Sequence, residues 1–397
     1  MRILLTAESY LPYVSGVTVS VDALARGLGA RGHEVLVMAP RPAWGRSVES
    51  VGSPGPEPRH AWLASYQLPR FAPPSYRMPW PVPWHRGIRE ARAFSPDIVH
   101  AHHPFVTGLM ARRIAITSGA PLVFTHHTRF ADYGHYLGPL AGPGRRMTDA
   151  FLRRWWMSCA AIIAPSNDFA EEIRGRLPPG YGSRVQVIPT GIDVRGIRAL
   201  APVNPRAAAG WPADTFVGAS LGRLATEKSP MTVLDAVAAA VPRVPELRLL
   251  MIGGGPEEGA LRRRALQADL AGRVHFTGAL PRPDALARLA GADLFVFASR
   301  TETQGLVLAE ALAAGLPAIA LDGPGVRDSV RDGTDGVIVA TDPPEQRTAR
   351  LAHAIATVAI DRDTRLEMAE RARTDAGRFG VEQRVAQTEA LYRSSQG

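Results

Sequence analysis

The feature that most constrains this chain is a sustained alternation of short β-rich runs with amphipathic helical stretches. RILLTA, VDALARGLGARG and EVLVMA open the series, and DIVHA, PLVFT, AAIIAP and VQVIP continue it. This alternation predicts parallel strands joined by crossover helices. A second series begins near Thr215 with FVGASLG and runs through LRLLMIGGG, RVHFTGAL, DLFVFAS, PAIALD and DGVIVA. Between the two lies IDVRGIRALAPVNPRAAAGWPAD, rich in Pro and Ala and without a period, which predicts a linker. The expected fold is therefore α/β, with two Rossmann-like doubly wound domains facing one another across a cleft. They span residues 1–198 and 199–380, and residues 381–397 form a helix packing back toward the N-terminal domain. Open α/β sheets take ligands at the carboxyl ends of their strands, so the chemistry is expected there. Residues 41–92 interrupt the pattern with Pro, Arg and Trp and predict a long surface excursion containing a short helix.

Charge divides the chain. Residues 1–198 hold 23 Arg and no Lys against 13 acidic residues, a balance of +10, whereas residues 199–397 hold 23 basic and 24 acidic residues, a balance of −1. A basic half predicts an anionic partner, either membrane lipid or nucleic acid. No nucleic-acid motif accompanies it, and nucleic acid is not expected. The start, MRILLTAESYLPYVSG, lacks a signal-peptide core, and no run approaches the roughly 18 apolar residues of a membrane span. The expected location is the cytoplasm, with peripheral attachment to the inner face of the cell membrane. Cys159 stands alone and reads as a small buried hydrophobe.

The sharpest chemical signal is SRTETQGLVLAEALAAGLPAIA. Glu302 and Glu310 lie eight apart, one in a loop before a helix and the other in its second turn. The backbone N–H groups of Gln304, Gly305, Leu306 and Val307 then fall at a helix N-terminus, where unpaired donors and the macrodipole attract phosphate. A sugar diphosphate needs these parts together: carboxylates for hydroxyls at both ends and an anion site between. In SLGRLATEKSP, Arg223 and Lys228 follow a strand and supply a rigid fork and a mobile point charge for a departing diphosphate. Lys228 is the single lysine of a chain that uses arginine 45 times. After the first strand, Gly16 opens a helix and lets its backbone approach a phosphate closely.

Two alternatives lose ground. GxGxxG is absent, and GGGPEEG near Gly253 has the wrong spacing for a nicotinamide or flavin site. The histidines of VHAHHPF (His100, His102, His103) and VFTHHTRFADYGHYLG (His126, His127, His135) lack metal-ligand spacing. No Asp-x-Asp pair lies in the cleft motifs, so no essential metal and no cofactor are expected. His127, at a strand's carboxyl end, can hydrogen-bond a sugar hydroxyl as a neutral imidazole.

These residues give the chain its resemblance to glycosyltransferase family 4, whose members have the GT-B fold; the likeness runs from Met1 to about Gly380. The resemblance implies that Glu302 holds hydroxyls of the donor sugar and Glu310 the ribose. It assigns Arg223 and Lys228 to the diphosphate, Gly16 to the N-terminal glycine loop and His127 to the donor sugar. Most members read Glu-Gly-Phe-Gly after the first carboxylate, whereas this chain reads Glu302-Thr303-Gln304-Gly305. That variant, with HAHHPF and HHTRFADYGHYL, is similar to the diacylglycerol α-glucosyltransferase branch. The implied activity is retaining hexosyl transfer, from a UDP-glucose-like donor to a lipid such as diacylglycerol. A GDP-mannose-dependent mannosyltransferase and a UDP-sugar 2-epimerase are the alternatives.

The acceptor side is read from GRRMTDAFLRRWWMSC. Met147, Phe151 and Trp155 fall at helical spacing with Leu152 and Trp156 beside them, while Arg145, Arg146, Arg153 and Arg154 add charge. The segment fits either an interfacial helix on anionic lipid or a core-packed helix with solvated arginines. Trp80 and Trp84 in the Pro-rich excursion favour the membrane, so all eight Arg and Trp residues are candidates for acceptor and membrane contact.

Overall fold

A computed structural model describes residues 1–43, 54–67, 76–82, 85–129 and 141–396. The chain forms two compact units, Met1–Asp193 with Val381–Gly397, and Val194–Gly380.

The first unit runs β1 (Arg2–Thr6), α1 (Gly16–Ala30), β2 (Glu34–Pro40), β3 (Arg59–Leu63), β4 (Ser65–Gln67), β5 (Arg77–Pro79), α2 (Arg86–Ala93) and β6 (Ile98–Ala101). It continues with α3 (Val106–Ser118), β7 (Leu122–Thr125), α4 (Ala141–Met157), β8 (Ala161–Ala164), α5 (Asn167–Arg176) and β9 (Val185–Val187). Seven strands pair in parallel in the order β3-β2-β1-β6-β7-β8-β9. The order reverses between β1 and β6, and that reversal opens a ligand crevice at the strands' carboxyl ends. Such strands are covered on both faces, which is why β1, β6, β7 and β8 read as continuous apolar runs. The start of α1 is fixed by a capping box: Ser15 accepts from the Thr18 N–H while the Thr18 hydroxyl accepts from the Ser15 N–H, an arrangement worth about 1 kcal/mol.

The expected surface excursion over residues 41–92 needs correction. Arg59–Leu63 is an edge strand of the main sheet, paired along β2, with Ala61 and Leu63 fully buried. Its HAWL core alternates as a strand does, and Pro and Arg on either side obscure it. Beyond it β4 and β5 make a small antiparallel pair.

The second unit begins with two short helices, α6 (Val194–Ala199) and α7 (Pro205–Ala209), within the segment that reads as a linker. Then come β10 (Phe216–Leu221), α8 (Pro230–Ala240), β11 (Leu247–Ile252), α9 (Glu258–Ala265), β12 (Val274–Phe276), α10 (Arg282–Leu289) and β13 (Leu294–Phe297). α11 (Leu306–Ala313), β14 (Ala318–Leu321), α12 (Val326–Ser329), β15 (Gly336–Val339), α13 (Arg347–Ile360) and α14 (Arg362–Asp375) complete it. Its parallel sheet has the order β12-β11-β10-β13-β14-β15, reversing between β10 and β13.

The last helix, α15 (Val381–Ser395), returns to the first unit. Val381, Val385 and Tyr392 enter the core that holds Ile3, Leu5 and Leu28. At Gly27 a Cβ would stand 2.5 Å from Val385, so α1 and α15 touch only because that position is glycine. The Tyr392 hydroxyl reaches His100 Nδ1 at 2.6 Å, and His100 Nε2 meets Thr125 Oγ1 at 2.7 Å, which satisfies a fully buried imidazole. Cys159 is buried in the same unit. Among the described residues, no helix is long and apolar enough to cross a membrane.

Candidate active site

In the second unit, glycines bring two strand ends into contact. A Cβ on Gly253 would stand 2.0 Å from the Gly222 carbonyl oxygen, and one on Gly255 would stand 2.3 Å from that of Leu224. Gly253 also sits at φ 128°, a conformation that favours glycine. The GGG run thus lets the end of β11 press against the loop after β10, and that loop carries Arg223 and the single turn Thr226–Lys228.

The turn is tied to the segment after β13. The Thr301 hydroxyl donates to the Glu227 carbonyl at 3.2 Å, and Lys228 Nζ lies 2.5 Å from Glu302 Oε1. Arg223 pairs with Glu227, whose side chain is 5% exposed. Burial opposes ionisation of Glu227, yet the Arg223 hydrogen bond and the charges of Arg223 and Lys228 hold its carboxyl below the usual range. Two residues after Thr303, Gly305 adopts φ 72° and turns the chain into α11 with no side-chain cap. The amides of Leu306 and Val307 therefore begin the helix with the macrodipole behind them. Gln304 is buried; a Cβ on Gly325 would come 2.6 Å from its Cα, and the Ser329 hydroxyl donates to its carbonyl at 3.3 Å. One turn into α11, Glu310 is 1% exposed and paired with Arg282, the first residue of α10. Burial pushes the Glu310 carboxyl up, and Arg282 opposes that push.

Arg223, Lys228, Glu302, Gln304, Gly305, Leu306, Val307 and Glu310 thus occupy the loops after β10 and β13 and the helix that follows, beside the strand-order reversal. Two cations, two carboxylates and an uncapped helix start can hold an anion with hydroxyl-bearing groups on either side. Sequence reasoning missed Glu227, Thr301 and Arg282. Nothing local marks Arg282 in LPRPD, because its partner lies 28 residues on.

The first unit places Gly16 at the start of α1 and His127 just past β7. His127 Nε2 and His102 Nδ1 share a hydrogen bond at 2.8 Å with the rings stacked, and burial drives both pKa values well below 6.5, so both imidazoles are neutral at physiological pH. Among the described residues, no group of three His, Cys, Asp or Glu side chains could hold a metal ion. His135 and Trp84 lie outside the described residues.

The acceptor-side residues divide. Arg145, Arg146, Arg153 and Arg154 are exposed along α4, Met147 is 74% exposed, and Trp80 is half exposed. Trp155 and Trp156 correct the membrane reading: they are buried at 3% and 2% and pack with Leu152, Cys159 and Phe124 in the core. Leu152, Trp155 and Trp156, with Cys159 just past the helix, recur at i, i+3, i+4 and i+7 as the inward stripe, so the arginines share the outer face with Met147.

The model of the family described as Glycosyltransferase Family 4 matches residues 14–195, and that described as Glycosyl transferases group 1 matches residues 204–375. An α-monoglucosyldiacylglycerol synthase of Acholeplasma laidlawii is 28% identical over 347 residues, covering 85% of this chain and 84% of its own length. A GDP-mannose-dependent α-mannosyltransferase of Mycolicibacterium smegmatis is 31% identical over 343 residues, covering 86% and 85%. Among solved structures, Anabaena HepE in complex with UDP has a TM-score of 0.73 at 19% identity, covering 99% of this chain and 100% of that one. Sucrose-phosphate synthase of Thermosynechococcus elongatus has 0.73 at 22%, covering 99% and 98%. With family models matched along both units and relatives aligned over most of their lengths, the chain belongs to glycosyltransferase family 4 and is a hexosyltransferase of the GT-B fold.

Proposed function

We propose that this enzyme is retaining, transfers glucose from UDP-glucose to the free hydroxyl of diacylglycerol, and works on an anionic membrane surface without an essential metal. The observation that carries the donor side is the uncapped start of α11 between Glu302 and Glu310, with Lys228 and Arg223 on the adjoining loop. The diphosphate sits on the amides of Gly305, Leu306 and Val307. Glu302 holds sugar hydroxyls and Glu310 the ribose, while the neutral His127 hydrogen-bonds a sugar hydroxyl. In the transfer step the bond from C1 to the diphosphate oxygen breaks as the acceptor oxygen bonds C1 from the same face. The acceptor proton passes to the departing diphosphate oxygen. Arg223, Lys228 and the helix start stabilise the charge that develops there, the task for which preorganised donors are most effective.

The lipid side is supported by the exposed arginines of α4 and by an exposed face of α3. There Arg112 and Arg113 are exposed beside Leu109 at 51% and Ile116 at 68%. Basic residues interleaved with exposed apolar ones suit an anionic bilayer surface. The Acholeplasma relative is named an α-monoglucosyldiacylglycerol synthase. The second reading, GDP-mannose-dependent transfer, is favoured by the name of the 31%-identical relative. Release of free nucleotide from UDP-glucose and from GDP-mannose, each with and without vesicles of diacylglycerol and anionic phospholipid, separates the two. UDP release stimulated by those vesicles supports the first reading. Turnover of GDP-mannose alone supports the second.

A further inference from the structure

The first unit has its own strand-order reversal, between β1 and β6, and the second unit's donor motifs do not account for what lies there. The chain leaves β1 through Ala7 and Glu8 and leaves β6 through His102 and His103. Glu8 is 5% exposed, an unusual place for a carboxylate. Its Oε1 accepts the Thr107 N–H of α3 at 3.2 Å, and its own N–H donates to His103 Nδ1 at 3.1 Å. Only burial and the amides of Thr107 and Val106 act on its carboxyl, which burial lifts to about 7. Tyr76 feels the Glu8 charge, and its ring meets that of Tyr13 edge-on at 5.0 Å. His103 adjoins His127 closely enough to oppose its protonation, so Glu8 lies one residue from the histidine assigned to the transferred sugar.

A remote cap for α3 would account for one of these contacts. It would not account for a buried carboxylate at the strand-order reversal whose charge reaches Tyr76, itself packed edge-on against Tyr13.

We propose that Glu8 holds the attacking hydroxyl of the acceptor: its carboxylate, fixed by the first amides of α3, accepts a hydrogen bond from an alcohol of a glycerol-like head whose carbons lie along Tyr13 and Tyr76. The polyol class rests on the lipid-acceptor reading above. Glu8 orients the hydroxyl and enriches its oxygen without removing the proton, which leaves with the diphosphate as the new O–C1 bond forms. Water attacking the same sugar needs no such hold, so Glu8 governs how the donor divides between transfer and hydrolysis.

The test is the ratio of transfer to hydrolysis in wild type, Glu8→Gln and Tyr76→Ala, with UDP-glucose as donor. Diacylglycerol vesicles serve as one acceptor and free glycerol as the other. Glu8→Gln is expected to lower the ratio at least tenfold, and Tyr76→Ala, which leaves the α3 amides untouched, to raise the KM for glycerol at least threefold. The wild-type ratio should rise between pH 6 and 8 as Glu8 ionises. The groups facing it do not titrate in that window: burial holds His103 at about 4 and His102 and His127 well below 6.5, and pushes Tyr76 up to about 12. Glu8→Gln should flatten the rise. Transfer and hydrolysis falling together with the ratio and its pH profile unchanged would make Glu8 a helix cap only and overturn the proposal. If Glu8→Gln fails to fold, an unchanged glycerol KM in Tyr76→Ala overturns it instead. A wild type that glucosylates glycerol but not diacylglycerol would refute the lipid reading and leave Glu8 to be judged on glycerol; one that glucosylates neither overturns the polyol class.

Discussion

Arg282→Gln tests the physical argument for the second carboxylate. It leaves Glu310, 1% exposed, without its cation. A buried unpaired carboxylate escapes its desolvation by taking up a proton, and the cost of that proton sets a ceiling on the damage. From the ordinary value of 4.5, pH 7 is 7 − 4.5 = 2.5 units away, or about 3.4 kcal/mol at 1.36 kcal/mol per unit. At pH 5 the ceiling falls to about 0.7 kcal/mol. Because burial already raises the Glu310 carboxyl in the wild type, which carries part of that cost, the expected loss lies below the ceiling, at about 1–3 kcal/mol at pH 7 and under about 0.7 kcal/mol at pH 5. The sign follows from linkage: burial raises the Glu310 pKa already in the wild type and loss of Arg282 raises it further, so the variant's extra penalty is absent below 4.5 and grows as pH rises. The assay is hydrogen exchange of α11 amides in wild type and variant at both pH values. A loss equal at pH 5 and pH 7, or a loss below about 0.5 kcal/mol at pH 7, would refute the reasoning.

Three further outcomes are expected. Arg223→Ala and Lys228→Ala should each cut turnover by about 10²–10³ with the fold intact by circular dichroism, while EDTA changes nothing; activity lost to chelator and restored by manganese would reject the metal-free mechanism. Replacing Arg145, Arg146, Arg153 and Arg154 with Gln should release the protein from anionic vesicles in cosedimentation, and wild-type binding should fall as salt shortens the Debye length from about 10 Å at 0.1 M to about 3 Å at 1 M. Hydrogen bonds from Arg393, Arg31 and His33 hold the Glu389 carboxyl down to about 2, so this tie between α15 and the end of α1 is present above the unfolded value of 4.5 and is lost as pH falls toward 2. Glu389→Gln should lower Tm by about 2–4 °C at pH 7, and the difference from wild type should vanish near pH 2.

The two sheets were legible because buried parallel strands are continuous apolar runs; RILLT and LRLLMI can hardly be anything else. The helix start at Leu306 was legible from a glycine before an apolar run, and the structure puts Gly305 in the left-handed region there. What the sequence hid is long-range. α6 and α7 are six and five residues long, too short for a period to show, and they read as a linker. Val203 nevertheless donates to the Ala287 carbonyl, and at Gly291 a Cβ would stand 2.1 Å from the Val203 carbonyl oxygen. β3 was lost among prolines. Trp155 and Trp156 misled by type: paired tryptophans beside arginines suggest a bilayer surface, but their phase with Leu152 and Cys159 points inward. Glu8 gave no signal, since a glutamate after a strand is ordinary until burial and the amides of α3 are known.

The most direct measurement is the anomeric configuration of the product formed from UDP-glucose and diacylglycerol in anionic vesicles, determined by NMR and matched to released UDP. An α-linked glucosyl lipid formed mole for mole with UDP is the predicted result. A β-linked product, or turnover of GDP-mannose with none of UDP-glucose, would contradict it.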